Sequence, residues 1–216
     1  MVTLAPEMPG AEAAIDLLKR SGAVVAAGHT AADYETARLA IEAGVTFGTH
    51  VFNAMTTFHH RHPGVVGALL DDRRVTVGVV ADGQHLHPAI CSHVLRSKGW
   101  RRVALTTDQT AAAGMPPGPY RLSGREVVSD GAVVRLPGGP LAGSAATMDA
   151  LVRNLVRLNG VRPETAIAMA STVPARCLGL RDRGAIRPGC RADLVILDSD
   201  LCVCATMVAG RLAHPR

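Results

Sequence analysis

Four titratable residues lie directly after short apolar runs in the first half of the sequence. They are His29, His50, His85 and Asp108, and they follow Gly28, Thr49, Gln84 and Thr107. Neutral imidazole is a common ligand of Zn²⁺ and Fe²⁺. One histidine at the end of a strand is more often structural, but two on successive strands favour a metal site. The pattern predicts a metal-dependent hydrolase with His29 and His50 as ligands.

Asp108 closes the run Leu105-Thr106-Thr107. A carboxylate beside a metal-bound water can accept its proton and later donate it to a leaving group. The alternative is an N-cap for a following helix, but Ala111 to Pro117 is a poor helix start. We therefore predict that Asp108 is the general acid/base.

Further candidates lie on loops. Asn53, Ala54 and Arg61 follow His50, and the Arg61 guanidinium can bind phosphate or carboxylate, or lie exposed. Glu7 is either an additional metal ligand or a capping residue. The nearby histidines form either a metal-binding patch or an ordinary surface cluster: His59, His60 and His62.

An alternation of strands and helices positions these residues. Strands are predicted at 2–4, 24–27, 45–51, 74–81 and 103–107, and helices at 11–20, from Thr30 to Gly44, and at 88–98. Such alternation fits either an open doubly wound sheet or part of a (β/α)₈ barrel. The sequence contains no GxGxxG or GxxxxGK[ST] motif. Titratable residues at the carboxyl ends of the strands favour the barrel, because barrel enzymes keep their chemistry there.

The pattern changes after residue 120. A β-hairpin is predicted at about 120–137 and a helix from Ser144 to Leu158, and strands return after Gly184. We predict two domains, a partial barrel over 1–182 and C-terminal β-sandwich strands over 183–216.

Composition excludes several classes of protein. Of the 216 residues, 48% are hydrophobic and 19% charged, which is typical of a folded domain. The net charge of +5 has no basic stripe interleaved with aromatics, so we expect no nucleic acid partner. An apolar run of transmembrane length does not occur. Five irregularly spaced cysteines favour free thiols and a cytoplasmic location.

Several segments resemble the N-acetylglucosamine-6-phosphate deacetylases of the amidohydrolase superfamily. The likeness runs from residue 2 to about 211. It is carried by Val2-Thr-Leu-Ala-Pro-Glu7, Ala27-Gly-His29, Thr49-His-Val-Phe-Asn-Ala-Met55, Arg61-His-Pro-Gly64, Ala81-Asp-Gly-Gln-His85, Thr107-Asp108, Leu141-Ala-Gly-Ser144 and Ala192-Asp-Leu-Val195.

This resemblance implies a role for each site residue. His29 and His50 match the histidine ligands of a divalent metal, Zn²⁺ or Fe²⁺, and Asp108 matches the general acid/base. The matching substrate-binding positions are Asn53, Ala54, Arg61, His85, Leu141, Ala142 and Gly143. The implied reaction is hydrolysis of the acetamide of N-acetylglucosamine 6-phosphate by metal-activated water. A homodimer is also implied, with the residue matching Arg61 acting across its interface.

Family members are longer, and Val2-Thr3-Leu4 resembles their fourth barrel strand. The resemblance therefore implies barrel strands 4 to 8, without the glutamate that serves the family as a third metal ligand. Two alternatives stay open on this ground. One is a catalytically silent member of the family, and the other is a different amidohydrolase, such as a deaminase or a cyclic amidase.

Overall fold

The computed structural model describes residues 1–215, and its centre is a five-stranded parallel sheet. Its strands are β1 (Val2–Leu4), β2 (Val25–Ala27), β3 (Val45–Gly48), β4 (Thr76–Val79) and β5 (Val103–Leu105). They pair in sequence order, β1-β2-β3-β4-β5. A doubly wound sheet reverses its strand order at a switch point, whereas a (β/α)₈ barrel adds each strand beside the last. The order observed is that of a barrel segment, which confirms the predicted fold class.

Seven α-helices occur in the described part of the chain. They are α1 (Ala11–Arg20), α2 (Tyr34–Ala43), α3 (Gly64–Asp71), α4 (Pro88–Lys98), α5 (Met148–Asn159), α6 (Pro163–Ala170) and α7 (Thr172–Cys177). The predicted start of α2 at Thr30 is wrong. Asp33 is its N-cap and accepts a hydrogen bond of 2.8 Å from the Thr36 N–H, whereas the Thr30 hydroxyl bonds to Glu7.

Helix α3 lies between β3 and β4, where the sequence pattern predicted no helix. Six of its eight residues, Gly64 to Leu69, are buried. A helix that is apolar on all sides has no alternating polar face, and periodicity therefore fails to distinguish it from a buried strand or loop.

The main core lies between the helices and one face of the sheet. Its largest fully buried side chains are Ile15, Leu69, Leu151, Leu155 and Met169. Successive strand residues alternate between the two faces. Ala26 and Ala104 therefore lie on the opposite face, and they form a second, smaller cluster with Phe47 and with Val173 of α7.

Two antiparallel sheets complete the structure. One is a meander of β6 (Gly118–Leu122), β7 (Arg125–Ser129), β8 (Val133–Arg135) and β9 (Leu141–Ser144), and the other contains β10 (Leu194–Leu197), β11 (Val203–Val208) and β12 (Arg211–Pro215). The segment 120–137, predicted as a hairpin, lies within the four-stranded meander. The predicted helix from Ser144 begins four residues later, because Ser144 is the last residue of β9. Across residues 1–215, no helix is both long and apolar enough to cross a membrane.

Candidate active site

The two predicted metal ligands and the predicted acid/base share an unusual backbone conformation. His29, His50 and Asp108 follow β2, β3 and β5, and their φ angles are 50°, 29° and 52°. Residues other than glycine seldom adopt positive φ, and such strain occurs preferentially at functional sites, where the surrounding structure imposes it. The strand ends thus turn these three side chains toward a common region.

His29 and His50 face each other directly. Their Nε2 atoms are 3.0 Å apart, and the rings meet edge to face with centroids 4.5 Å apart. The His50 side chain is buried, and its Nδ1 has no hydrogen-bond partner among the described residues. Burial lowers the pKa of His50, although the nearby Asp108 charge raises it. The ring is therefore neutral at neutral pH, which is the form that binds metal.

The pair fits two ligands of one divalent cation. Two nitrogens bound to one tetrahedral Zn²⁺ at about 2.0–2.1 Å lie about 3.3 Å apart, close to the 3.0 Å observed. Two Nε2 lone pairs at this distance repel each other unless a proton or a cation lies between them. Within residues 1–215, however, no group of three or more His, Cys, Asp or Glu side chains is arranged to hold a metal. The observed donor set is two histidines.

Glu7 orders the loop that follows His29. One carboxylate oxygen accepts the Thr30 hydroxyl, and the other accepts the Ala31 N–H at 2.7 Å. Burial raises the pKa of Glu7, but these hydrogen bonds outweigh it and lower the pKa overall. Both carboxylate oxygens of Glu7 are thus engaged by Thr30 and Ala31, in the loop beside His29.

The His85 side chain lies between two carboxylates. Its Nδ1 is 2.7 Å from Asp82 Oδ2, and its Nε2 is 3.7 Å from Asp108 Oδ2. The side chains of His85 and Asp82 are only 3% and 5% exposed, whereas that of Asp108 is 38% exposed. Asp108 thus has a buried imidazole on one side and open space on the other.

The end of β9 fixes the backbone of Asp108. The Ser144 N–H donates to the Asp108 carbonyl at 2.8 Å, and the Ser144 hydroxyl donates to the Thr107 carbonyl. Gly143 lies against the same residue, because an added Cβ would be 2.9 Å from the Asp108 carbonyl oxygen and 2.7 Å from Thr110 Cγ2. Residues of the meander therefore hold the catalytic candidate in its strained conformation.

Among the other predicted substrate-binding residues, Asn53 and Ala54 bond to the backbone near the two histidines. The Asn53 amide donates to the carbonyls of His50 and Val51, and the Ala54 carbonyl accepts the Thr30 N–H at 3.0 Å. Both residues therefore order the loops around the two histidines.

Arg61 is exposed and contacts His60 at 2.8 Å, and within residues 1–215 it makes no ion pair with a site residue. Ala142 packs into the small core of the meander, and Leu141 pairs with Arg135. The roles of these residues toward a substrate stay predictions.

Sequence reasoning assigned no role to Asp82 or Ser144. Both lie in segments that carry the family resemblance, so the signal was present. Asp82 opens an Asp-Gly-x-His turn, in which its carboxylate accepts the N–H groups of the next residues. Only the fold shows that this turn directs His85 toward Asp108.

Comparison with known proteins agrees with this geometry. The model of the amidohydrolase family matches residues 7–213. This chain belongs to the amidohydrolase family.

Among its relatives is N-acetylgalactosamine-6-phosphate deacetylase of Escherichia coli O157:H7, 47% identical over 99% of this chain and 56% of that protein. N-acetylglucosamine-6-phosphate deacetylase of Danio rerio is 41% identical over 98% of this chain and 54% of its own length. A solved structure of a mutant N-acetyl-D-glucosamine-6-phosphate deacetylase from Mycobacterium smegmatis, in complex with N-acetyl-D-glucosamine-6-phosphate, is 45% identical. It matches with a TM-score of 0.93 over 98% of this chain and 57% of that one. The chain thus spans slightly more than half the length of these relatives.

Proposed function

We propose that this chain carries the catalytic strand ends of a deacetylase that hydrolyses the acetamide of N-acetylglucosamine 6-phosphate. The products are glucosamine 6-phosphate and acetate. The observation that carries the proposal is the facing pair of His29 and His50 with Asp108 close by. The deacetylases that this chain resembles support the substrate class.

His29 and His50 would hold the metal through their Nε2 atoms. A divalent cation bound there, Zn²⁺ or Fe²⁺, supplies Lewis acidity and lowers the pKa of water. Because His50 is buried and neutral, it can bind a cation without first losing the positive charge of an imidazolium.

Asp108 moves the proton. Its carboxylate accepts the proton of the attacking water as the C–O bond forms at the acetamide carbon. It then donates that proton to the sugar nitrogen as the C–N bond breaks, which releases acetate and the free amine. Its 38% exposed side chain is open to a substrate, while its backbone is held by Ser144.

Arg61 and His85 are proposed to bind the sugar phosphate, with Asn53, Ala54 and the segment Leu141 to Gly143 contacting the sugar. A guanidinium suits a phosphate, and an imidazole does so when the nitrogen that faces the phosphate carries a proton. Two relatives are named for N-acetylglucosamine 6-phosphate and N-acetylgalactosamine 6-phosphate, which differ in configuration at one carbon. Both sugars are therefore part of the test.

The five free cysteines accord with a cytoplasmic protein, which we likewise propose.

A second candidate is a catalytically silent member of the family. The supporting observation is the donor set of two histidines within residues 1–215, since catalytic zinc is usually held by three protein ligands.

Acetate release separates the two candidates. The purified chain is supplied with Zn²⁺, Fe²⁺ or Co²⁺ and assayed on N-acetylglucosamine 6-phosphate, on N-acetylgalactosamine 6-phosphate and on unphosphorylated N-acetylglucosamine. We expect turnover of the phosphorylated glucose-type sugar. A folded chain that binds metal but turns over none of the three would establish the silent alternative, and preference for the galactose-type sugar would correct the substrate.

A further inference from the structure

The turn Asp82-Gly83-Gln84-His85 precedes α4, and side chains of α5 bond to the backbone on both sides of it. Asn154 donates to the Ala81 carbonyl at 3.0 Å, and Asn159 donates to the Pro88 carbonyl at 2.7 Å. Within the turn, Gly83 has a φ of 78°, a conformation that glycine adopts at little cost.

Asp82 has its two carboxylate oxygens committed to different partners. Oδ1 accepts the N–H groups of Gln84 and His85 at 2.9 Å and 2.8 Å. Oδ2 lies 2.7 Å from His85 Nδ1. Burial alone raises the pKa of Asp82, but the hydrogen bonds from His85 and the backbone outweigh it and lower the pKa. The carboxylate is therefore ionised and can only accept hydrogen bonds.

An acceptor at Oδ2 requires a proton on Nδ1 of His85. The other nitrogen of a neutral ring, Nε2, then carries a lone pair. That lone pair faces Asp108 Oδ2 at 3.7 Å.

We propose that Asp82 is a positioning residue that fixes His85 in the Nδ1–H tautomer and thereby directs Nε2 of that ring toward Asp108. A role of His85 in catalysis rests on the proposed deacetylation, but the tautomer itself does not. Asp82 touches neither substrate nor reacting atoms, and it acts through His85.

The tautomer is measurable in the full 216-residue chain without any assay of activity. Long-range proton–nitrogen NMR spectra of the ¹⁵N-labelled chain distinguish protonated from unprotonated ring nitrogens. Spectra are recorded at rising pH until the ring signals stop changing, so that the neutral ring is observed. The His85→Gln variant identifies the His85 signals by their loss. We expect Nδ1 of His85 in the protonated range and Nε2 in the unprotonated range; the reverse assignment would overturn the proposal.

Asp82→Asn should reverse the tautomer. The two backbone N–H groups still require an acceptor at the position of Oδ1, so the new amide NH₂ faces the ring and donates to Nδ1. The proton then moves to Nε2. Asp130→Asn is the matched control, because Asp130 Oδ1 also accepts two backbone N–H groups, from Ala132 and Val133, in a turn of the meander. It should leave the His85 signals unchanged.

Asp108→Asn tests the other side of the ring. We expect the Nε2 signal of His85 to shift while the Nδ1 signal keeps its place. Unchanged signals at both nitrogens would show that His85 does not sense Asp108 and would overturn the proposal. The wild-type spectrum and this variant decide the matter even where Asp82→Asn fails to fold, which its circular dichroism spectrum reports.

Discussion

Chemistry at the residue scale depends on a few strained positions. Asp108 is the proposed proton carrier, and its replacement by asparagine keeps the shape of the side chain but removes the base. In the metal-supplied chain, we expect Asp108→Asn to lower kcat by about 10²- to 10⁴-fold with little change in KM. Steady-state acetate release measures both, and Asp130→Asn serves as the control. Equal activity of the two variants would remove Asp108 from the reaction.

Gly143 supports Asp108 by leaving space beside it. Its φ is 122°, and a Cβ would meet the Asp108 carbonyl and Thr110. Gly138 also has positive φ, at 92°, but has nothing within 4 Å of an added Cβ. Gly138→Ala should therefore cost only the backbone strain, about 1 kcal/mol, while Gly143→Ala should cost at least about 2 kcal/mol. Urea unfolding measures the free energy of unfolding of each variant. Equal losses in the two variants would mean that a Cβ at Gly143 does not clash with Asp108 or Thr110.

The residues at strand ends were predictable, whereas their partners were not. His29, His50 and Asp108 each follow an apolar run that is readable as a strand. The roles of Asp82 and Ser144 depend on which atom faces which across the fold. Spacing in the sequence carries no information about such directions.

At the scale of elements, the loops that follow β1, β2 and β3 are connected by hydrogen bonds. Glu7, beyond β1, bonds Thr30 and Ala31 beyond β2, and Thr30 in turn bonds Ala54 beyond β3. The strand ends were predictable from hydrophobic runs, but these links between loops were not. Helix α3 was also missed, because its uniformly buried residues carry no periodic signal.

Glu7 should make this loop cluster sensitive to acid. Its pKa in the folded chain lies below the ordinary 4.5. The stabilisation is therefore complete above the unfolded pKa, near 4.5, and is lost as pH falls through the lower folded pKa. We expect the free energy of unfolding to fall less steeply below pH 4.5 in Glu7→Gln than in the wild type. Urea unfolding at a series of pH values measures this slope.

Glu12→Gln is the matched control, since it removes an exposed carboxylate from α1 and leaves the bonds of Glu7 in place. An identical acid dependence in the wild type and in Glu7→Gln would contradict the role given to Glu7.

For the whole molecule, the titratable residues at the strand ends favoured part of a barrel over a doubly wound sheet, and the strand order confirms that prediction. Periodicity defines elements but does not define which strands pair. The domain division at 182/183 and the homodimer also concern the whole molecule, and both stay predictions. The C-terminal sheet exposes apolar side chains, with Ile196 and Leu212 each more than half exposed. Exposed apolar patches commonly mark interfaces.

We expect the chain to be a dimer in solution. Light scattering after size exclusion should give about twice the 22.5 kDa of one chain. Ile196→Lys should shift the mass toward the monomer, because it places a charge in the apolar patch. Leu39→Lys, at a residue that is 56% exposed on α2, should leave the mass unchanged. A wild-type mass of one chain at micromolar concentration would refute the dimer.

The central claim is that His29 and His50 form one divalent metal site at the ends of β2 and β3. Titration of the full chain with Zn²⁺ in a calorimeter tests it without any assay of activity. We predict one saturable site whose Kd rises at least about tenfold in His29→Ala and in His50→Ala, and which is unchanged in His93→Ala, an exposed histidine on α4. Zinc binding that survives both substitutions, or that is lost instead with His62→Ala in the exposed histidine cluster, would contradict the claim.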